Sequence, residues 1–391
     1  MMRSSQSASE SVLNAVTSAI GPSANYIGLH EPSFDSDELE NLSVCLDSGW
    51  VSSAGSFVTR FEEEIAEYCG VKYSISTVNG TSALQLALKV VGVKEKDEVL
   101  TPAISFVATA NAVTFCGAIP HFIDVEYTTL GIDPDALEIY LNEVLVPSGK
   151  HFVNKNSGRV VRAIVPMHTF GHPVRMEKLM VVAKKFNLMV VEDAAESLGS
   201  FYNSKHTGSF GNVAALSFNG NKIITTGGGG AVLTNNKQAA MLAKHLSTTA
   251  KKTHHWEFDH DQVGFNFRMP NINAALGCAQ LKKLPKYLHK KRLLAEVYKS
   301  VFVGSQVADF FEEPENCKSN YWLNTIILKK EYVAQRDEII SLLQKNNFGC
   351  RPVWKMLSTL PMYVSNPAGP LDVSKKLSSA IINLPSSPDL L

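Results

Sequence analysis

The chain has no excess of charge of either sign, since 37 Lys and Arg residues are set against 37 Asp and Glu residues in a total of 391. It also has no long run of basic residues. Proteins that bind nucleic acid neutralise its phosphates with clustered Lys and Arg. Nucleic acid is therefore not an expected partner.

Long apolar runs and paired cysteines are missing as well. No stretch reaches the roughly 18 apolar residues of a membrane span, and the N-terminal MMRSSQSASESVLNAVTSAIG has no continuous apolar core of signal-peptide length. The six cysteines include no Cys-x-x-Cys pair, and several lie in apolar stretches, as small core residues do in a reducing compartment. We expect a cytoplasmic protein without a membrane partner.

Two sequence patterns divide the chain. From about residue 51 to 236, short β-branched runs alternate with helical stretches, which is typical of parallel strands joined by helices. The runs are apolar almost throughout, as in a sheet covered by helices on both faces. Past about Thr249 the pattern changes to that of a smaller α+β unit. The predicted fold is α/β, with an N-terminal arm (1–26), a large domain with a mostly parallel central sheet (27–250) and a small C-terminal domain (251–391).

The segment from Met189 to Gly230 has the densest set of chemically active residues. Glu192 and Asp193 follow an apolar strand, at the end where open α/β sheets place their ligands, although an Asp there is also a common helix N-cap. Lys222 follows a second apolar strand and precedes a run of four glycines, which let a ligand approach the main chain closely. A buried amine tends to lose its proton and attack carbonyl groups, as Schiff-base lysines do.

Pyridoxal phosphate (PLP) requires both of these groups, a lysine for its aldehyde and an acid beside its pyridine nitrogen. It also requires a phosphate site. The segment NGTSAL (Asn79–Leu84) offers one, because its hydroxyl and main-chain N–H groups open directly into a predicted helix, and Ser217 can add a hydroxyl. The lysine, the acid and the turn together predict a PLP site.

Seven ordered motifs resemble the DegT/StrS family of PLP-dependent nucleotide-sugar aminotransferases. They are NGTSALQLAL, VLTPAISFVATANAV, GAIPHFIDV, VPMHTFGHP, VVEDAAESLGS, SFNGNKIITTGGGGAVLTN and FNFRMPNINAALGCAQL. The similarity runs from about Ile27 to Tyr363. Further stretches look most like the branch that makes 4-amino sugars for legionaminic-acid-type glycans: IGLHEPSF, WVSSAGSFVTRFEEE, TLGIDPDAL and RPVWKMLSTLPMY.

The resemblance implies a PLP fold-type-I (aspartate-aminotransferase-like) homodimer with shared active sites. Lys222 would bind the cofactor aldehyde and then carry a proton between the substrate carbon and C4′ of the cofactor. Asp193 would pair with the pyridinium nitrogen, and Phe106 would stack on the ring. Asn266 would reach the phosphate in the neighbouring subunit. The other residues of the phosphate site would be Gly80, Thr81, Ser82 and Ser217.

Two departures from the family pattern affect these expectations. Many members have Gln where this chain has Glu196, and that amide donates a hydrogen bond to the phenolic oxygen of the cofactor. A carboxylate cannot donate unless it is protonated, so Glu196 either has a raised pKa or has another role. The sequence also ends at LPSSPDLL, where relatives usually continue into a last helix, so we expect a shortened or rearranged small domain.

Several histidines outside this set have open roles. His168 and His172 have the i, i+4 spacing of a helical metal site, but Gly171 and Pro173 favour a loop. We therefore expect no metal, and we place His168 at the entrance of the active site. A second group is either part of a solvated loop or a contact for nucleotide or the partner subunit: His254, His255 and His260. Candidate substrate residues in the branch-specific motifs are Trp50, Ser52, Arg351 and Trp354.

The resemblance and the residues together predict a transaminase. It would move the amino group of L-glutamate to the 4-keto group of a nucleotide-linked 6-deoxyhexose, with a UDP-2-acetamido-4-keto-2,6-dideoxyhexose as the expected substrate, in surface-glycan or nonulosonic-acid biosynthesis. One alternative is a sugar dehydratase of the same family, but those enzymes carry His where this chain has Lys222. The other is a non-catalytic binding homologue, which would stay colourless and take up no PLP.

Overall fold

The computed structural model describes residues 7–391, so residues 1–6 of the expected N-terminal arm lie outside the described range. Its helices are, in chain order, α1 (Ala8–Ile20), α2 (Ser36–Asp47), α3 (Ser56–Cys69), α4 (Gly80–Val90), α5 (Val107–Phe115), α6 (Pro134–Val144), α7 (Met176–Lys185), α8 (Lys237–Ser247), α9 (Asn271–Phe302), α10 (Arg336–Lys345) and α11 (Asp372–Ala380). Its strands are β1 (Tyr73–Thr77), β2 (Glu98–Pro102), β3 (Ile119–Ile123), β4 (Leu145–Ser148), β5 (His151–Asn154), β6 (Val161–Ile164), β7 (Met189–Asp193), β8 (Phe201–Tyr202), β9 (Lys205–His206), β10 (Val213–Ser217), β11 (Gly230–Thr234), β12 (Ala308–Phe310), β13 (Cys317–Lys318), β14 (Asn324–Leu328), β15 (Arg351–Pro352) and β16 (Ile381–Leu384).

Within residues 7–391, seven strands form a central sheet in the order β1-β11-β10-β7-β6-β2-β3. Neighbouring strands from β10 to β3 are parallel, and β11 is antiparallel to both β10 and β1. Residues of these strands are buried almost throughout, because helices cover both faces. The predicted α/β fold with a mostly parallel central sheet is confirmed.

The two faces of the sheet carry separate layers of helices. On one face α3 and the first half of α9 pack through side chains such as Phe61 and Leu281. On the other face α4, α5 and α8 pack through side chains such as Leu86 and Leu246. Since β1, β2, β7 and β10 run in one direction, the residues that follow them meet at a single edge of the sheet, where open α/β sheets bind ligands.

The small domain has a sheet of its own. Its strands follow the order β12-β14-β16-β15, and every neighbouring pair is antiparallel. β16 lies between β14 and β15, so Ile381–Leu384 pairs with strands on both sides.

Residues 8–20 form helix α1 rather than the expected arm. Ala8, Val12, Val16 and Ala19 recur at helical spacing and are buried in one cluster with α9, α10 and the small sheet. The sequence led us to expect an arm here, but the apolar spacing supplies a buried face.

Helix α9 connects the two hydrophobic cores. Leu284, just before Pro285, belongs to the core of the large domain, whereas Leu294 and Tyr298 belong to that of the small domain. The change from one core to the other therefore occurs within α9, whereas the sequence led us to expect a domain boundary between residues 250 and 251. Sequence periodicity identifies a helix but not the core against which each part of it packs.

In the part of the chain from residue 7 onward, no helix combines the length and the apolar character needed to cross a membrane.

Candidate functional site

A cavity of about 470 Å³ lies at the edge of the central sheet where β1, β2, β7 and β10 end, and the small domain closes its other side. It is lined by Leu29, Asn79, Gly80, Thr81, Leu84, Phe106, Ala108, Met167, Asp193, Ala195, Glu196, Ser217, Asn219, Asn221, Lys222, Trp322, Leu323, Arg351, Pro352, Trp354 and Asn383. The two predicted catalytic residues, Lys222 and Asp193, thus face the same cavity.

Asp193 ends strand β7, and two hydrogen bonds hold its buried carboxylate. Its Oδ2 accepts from Oγ1 of Thr109 at 2.7 Å, and its Oδ1 accepts from the N–H of Ala195 at 3.2 Å. Burial raises the pKa of Asp193, while these hydrogen bonds and the charge of Lys222 act in the opposite direction. The result is a carboxylate of fixed orientation, as an acid that must pair with a protonated ring nitrogen requires.

Lys222 lies in the loop after β10, with its side chain 13% exposed. Its Nζ is 3.4 Å from Oε1 of Glu196 and 3.9 Å from the centroid of the Trp322 ring. The amine is therefore placed between a carboxyl group of the large domain and an aromatic ring of the small domain, within a cavity that can hold a carbonyl compound.

Glu196 is buried beside Lys222. Its Oε2 accepts a hydrogen bond from the N–H of Phe170 at 2.9 Å. Burial raises the pKa of Glu196 to about 7, although the charge of Lys222 and the Phe170 hydrogen bond oppose the shift. The sequence left open whether Glu196 has a raised pKa or another role. Its burial favours the raised pKa, and the role of Glu196 stays a prediction.

The turn between β1 and α4, where the sequence predicted a phosphate site, faces the cavity. Gly80 and Thr81, at the start of α4, line the cavity together with Ser217 at the end of β10. A Cβ on Gly80 would lie 2.8 Å from Cβ of Ser217, so a glycine is needed for the helix to start this close to the strand. The N-terminus of an 11-residue helix beside two hydroxyl groups suits a phosphate.

Three further candidate residues, two aromatic and one basic, also line the cavity. Phe106 is 49% exposed on its wall, with its ring centroid 6.1 Å from that of Trp354. Arg351 and Trp354 enter from the small domain. The face of Phe106 is available for stacking on a planar ring.

Other predicted site residues lie outside this lining. The N–H of Ser82 donates to Oδ1 of Asn79, which caps α4, at 2.8 Å. Asn266 is exposed and accepts from Arg268. Trp50 and Ser52 lie in the loop between α2 and α3, where their carbonyl oxygens accept from the side chain and the N–H of Asn271. The structure does not bring these four predicted residues to the cavity of their own chain.

His168 does not lie at the entrance of the cavity, where the sequence predicted it. It is fully buried; its Nδ1 accepts the N–H of Val174, so its Nε2 donates to Oε2 of Glu192, each at 3.1 Å. Burial alone would raise the pKa of Glu192, but His168 and two glycine N–H groups lower it. Since successive residues of a strand point to opposite faces, Glu192 holds His168 away from the cavity while Asp193 points into it.

His172 is buried among aromatic rings. Its ring centroid is 4.7 Å from that of Phe311 and 5.3 Å from that of Tyr321, both edge-on. Burial lowers the pKa of His172 to about 3. Among residues 7–391 no group of three or more His, Cys, Asp or Glu side chains is placed to hold a metal ion.

Two residues that contact the predicted groups were missed. Thr109 is 84 positions from Asp193, and Trp322 is 101 positions from Asn221, whose carbonyl it binds. Neither belongs to a spacing pattern that sequence alone would select. The signal available for Thr109 was a polar residue in the first turn of α5.

The residues present fit PLP. Lys222 offers an amine for the aldehyde, Asp193 an oriented carboxylate for the ring nitrogen, and the close approach of Gly80 to Ser217 an anion site for the phosphate. All three groups face one cavity, which is large enough for the cofactor and part of a substrate.

Comparisons with known proteins identify the family of the chain. A family model described as the DegT/DnrJ/EryC1/StrS aminotransferase family matches residues 32–391. The chain is 36% identical over 370 residues to the GDP-perosamine synthase of Vibrio cholerae, covering 93% of this chain and 95% of that protein. It is 33% identical over 322 residues to the UDP-4-amino-4,6-dideoxy-N-acetyl-beta-L-altrosamine transaminase of Campylobacter jejuni, covering 82% and 81%.

A solved structure is similar over nearly the whole chain. PseC of Helicobacter pylori, an aminotransferase involved in the biosynthesis of pseudoaminic acid, matches with a TM-score of 0.85 at 28% identity, covering 94% of this chain and 95% of that chain. The predicted fold type I is confirmed, whereas the legionaminic-acid branch stays a prediction. With its match over residues 32–391, the chain belongs to the DegT/DnrJ/EryC1/StrS aminotransferase family, whose aminotransferases depend on PLP.

Proposed function

We propose that this aminotransferase moves the amino group of L-glutamate to the 4-keto group of a nucleotide-linked 6-deoxyhexose. The observation that carries the proposal is the placement of Lys222 and Asp193 in one cavity with the N-terminus of α4. The names of the similar proteins support a 4-amino sugar as the product. The expected cytoplasmic location stays a prediction.

The chain's own groups divide the work in the cavity. Bound PLP supplies an electron sink for the substrate carbanion. The amine of Lys222 moves the proton at the reacting carbon, and the carboxylate of Asp193, held by Thr109, keeps the ring nitrogen protonated. The first turn of α4 would hold the phosphate, and the ring of Phe106 would stack on the cofactor ring. Positioning and electrostatics are therefore the contributions of the protein.

The nucleotide carrier is the finer part of the proposal. The motifs led us to expect a UDP-2-acetamido sugar, but the GDP-perosamine synthase matches with higher identity and greater coverage than the UDP-sugar transaminase. These values favour a GDP-linked 4-ketosugar as the first substrate to test, with the UDP-2-acetamido sugar as the second. Arg351 and Trp354 lie on the small-domain side of the cavity, where they can contact the substrate.

A homodimer with shared sites is a further part of the proposal. Asn266 is exposed and lies outside the cavity of its own chain, which is consistent with a role in the partner's site. The loop just before it presents Trp256 and Phe258, which are 76% and 77% exposed. Apolar side chains this exposed favour a buried position in an assembly.

The substrate test uses the purified protein with PLP and L-glutamate. Separate reactions contain GDP-, UDP- and dTDP-linked 4-ketosugars, and release of 2-oxoglutarate is measured together with the mass of the sugar product. We expect one carrier to be strongly preferred and its sugar to gain an amino group. A sugar product that has lost a hydroxyl and gained no amino group would instead identify a dehydratase, and no uptake of PLP would identify a binding protein.

Sharing of the site is tested with mixed dimers. Lys222→Ala and Asn266→Ala should each have little activity alone. A mixed dimer contains one chain with Lys222→Ala and one chain with Asn266→Ala. If Asn266 acts in the partner's site, one of the two sites contains both changes and the other contains neither. Activity should therefore return on mixing. Absence of any recovery in mixtures shown to contain mixed dimers would contradict a shared site.

A further inference from the structure

The small-domain segment Ser319–Leu323 contacts both loops that carry the predicted catalytic groups. Nδ2 of Asn320 donates to the carbonyl oxygens of Glu196 and Leu198, each at 2.9 Å. Nε1 of Trp322 donates to the carbonyl oxygen of Asn221 at 2.8 Å. This segment therefore joins the loop after β7 to the loop that contains Lys222.

Trp322 acts on Lys222 in two ways. Its indole N–H fixes the peptide immediately before Lys222, and its ring face lies 3.9 Å from Nζ of Lys222. Trp322 is 5% exposed, and contact between a cation and an aromatic ring is stronger when water is excluded. One side chain therefore restricts both the main chain and the amine of Lys222.

Trp322 is itself held in place by a buried lysine. The N–H of Trp322 donates to Oδ1 of Asn320 at 2.8 Å, and its carbonyl oxygen accepts from Nζ of Lys291 at 3.1 Å. Nζ of Lys291 also donates to the carbonyl oxygen of Ser386. Lys291 is fully buried in α9, and burial lowers its pKa well below the ordinary value. These contacts fix the position of Trp322 within the small domain.

The geometry points to Trp322 as a positioning residue for Lys222: contact of the Ser319–Leu323 segment with the Lys222 loop directs the amine into the cavity. This inference rests on Lys222 as the reactive amine, and it does not depend on which sugar accepts the amino group. Without the indole, the carbonyl oxygen of Asn221 loses its hydrogen-bond donor, and the amine of Lys222 loses its contact with the aromatic ring. The amine of Lys222 then adopts the orientation needed for reaction less often.

The test measures how fast Lys222 combines with PLP, with loss of water, in protein freed of cofactor. Borohydride fixes the product, and mass spectrometry of the Lys222 peptide quantifies it. Trp322→Phe keeps a ring over the amine but removes the N–H donor, and we expect an about tenfold slower reaction. Trp322→Leu removes both contacts and should be slower still.

A matched control separates positioning from a general effect on the small domain. Leu328→Ala removes a buried side chain of β14 that belongs to the small-domain core. It should lower thermal stability while leaving the rate of PLP attachment unchanged. If Leu328→Ala slows attachment as much as Trp322→Phe does, Trp322 has no specific role.

A second readout uses a single turnover of the PLP-loaded protein with L-glutamate. Trp322→Phe should lower the limiting rate and leave the half-saturating concentration of glutamate unchanged. A residue that served only as a substrate contact would change that concentration and leave PLP attachment unaltered. Wild-type rates of attachment and turnover in Trp322→Phe would overturn the inference, even if Trp322→Leu did not fold. Because attachment needs neither glutamate nor sugar, its outcome is independent of the proposed substrate.

Discussion

Nζ of Lys222 lies 3.4 Å from Oε1 of Glu196, a buried carboxyl group whose pKa is raised to about 7. When protonated, Glu196 offers an O–H donor, as the amide of a glutamine would; when ionised, it offers a second acceptor to the Lys222 amine. Glu196 therefore adds to the cavity a group that changes its charge near neutral pH.

Glu196 predicts a pH dependence of stability. Between its ordinary pKa of 4.5 and about 7, the folded protein holds a proton at Glu196 that the unfolded chain has released. The free energy of unfolding therefore falls as the pH rises through this window. The side chain in Glu196→Gln cannot ionise, so the free energy of unfolding of this variant should fall less over the same pH window. Chemical denaturation on both sides of the window measures it, with the exposed change Glu40→Gln as the control. An equal fall in Glu196→Gln and the unaltered protein would contradict the burial argument.

Thr109 predicts a contribution to cofactor binding through Asp193. Thr109→Val keeps the shape of the side chain but removes the hydroxyl that donates to Oδ2 of Asp193. A hydrogen bond to a charged group contributes about 1.5–3 kcal/mol, so PLP should bind about ten- to a hundredfold more weakly. Titration of cofactor-free protein with PLP measures the affinity. Thr114 lies on the same helix, but its hydroxyl donates to the carbonyl oxygen of Ala110. Thr114→Val should therefore bind PLP normally. Equal losses of PLP affinity in both variants would refute the role of Thr109.

Gly80 predicts a steric limit on the phosphate site. Gly80→Ala places a methyl group 2.8 Å from Cβ of Ser217, so the start of α4 or Ser217 must move. Overpacking of this kind costs about 1–3 kcal/mol, and the displaced helix terminus should weaken the affinity for PLP. The matched change Gly220→Ala, whose Cβ would meet no atom within 4 Å, serves as the control. Unchanged PLP affinity in Gly80→Ala would place the phosphate elsewhere.

The sequence predicted the parts of the site that depend on chain order. Strands and helices alternate with clear apolar patterns, so the residues after β1, β7 and β10 could be assigned to one edge of the sheet. Asp193, Gly80 and Lys222 do face one cavity there. The family motifs added Phe106, which lines it together with Ser217.

The remaining features depend on side-chain direction and long-range packing. His168 was assigned to the entrance as part of a predicted loop, but its side chain turns to the buried Glu192. Trp322 reaches Asn221 across 101 positions of sequence, and no local pattern encodes that contact. Helix α1 was missed because serines concealed its apolar face.

The transfer of isotopically labelled nitrogen from L-glutamate to a nucleotide-linked 4-ketosugar tests the central claim most directly. Mass spectrometry of the product locates the label in reactions with the unaltered protein and with Lys222→Ala. The account predicts labelled nitrogen at C4 of the sugar with the unaltered protein, and no labelled product with Lys222→Ala. A product without the label, or near-normal transfer by Lys222→Ala, would contradict it.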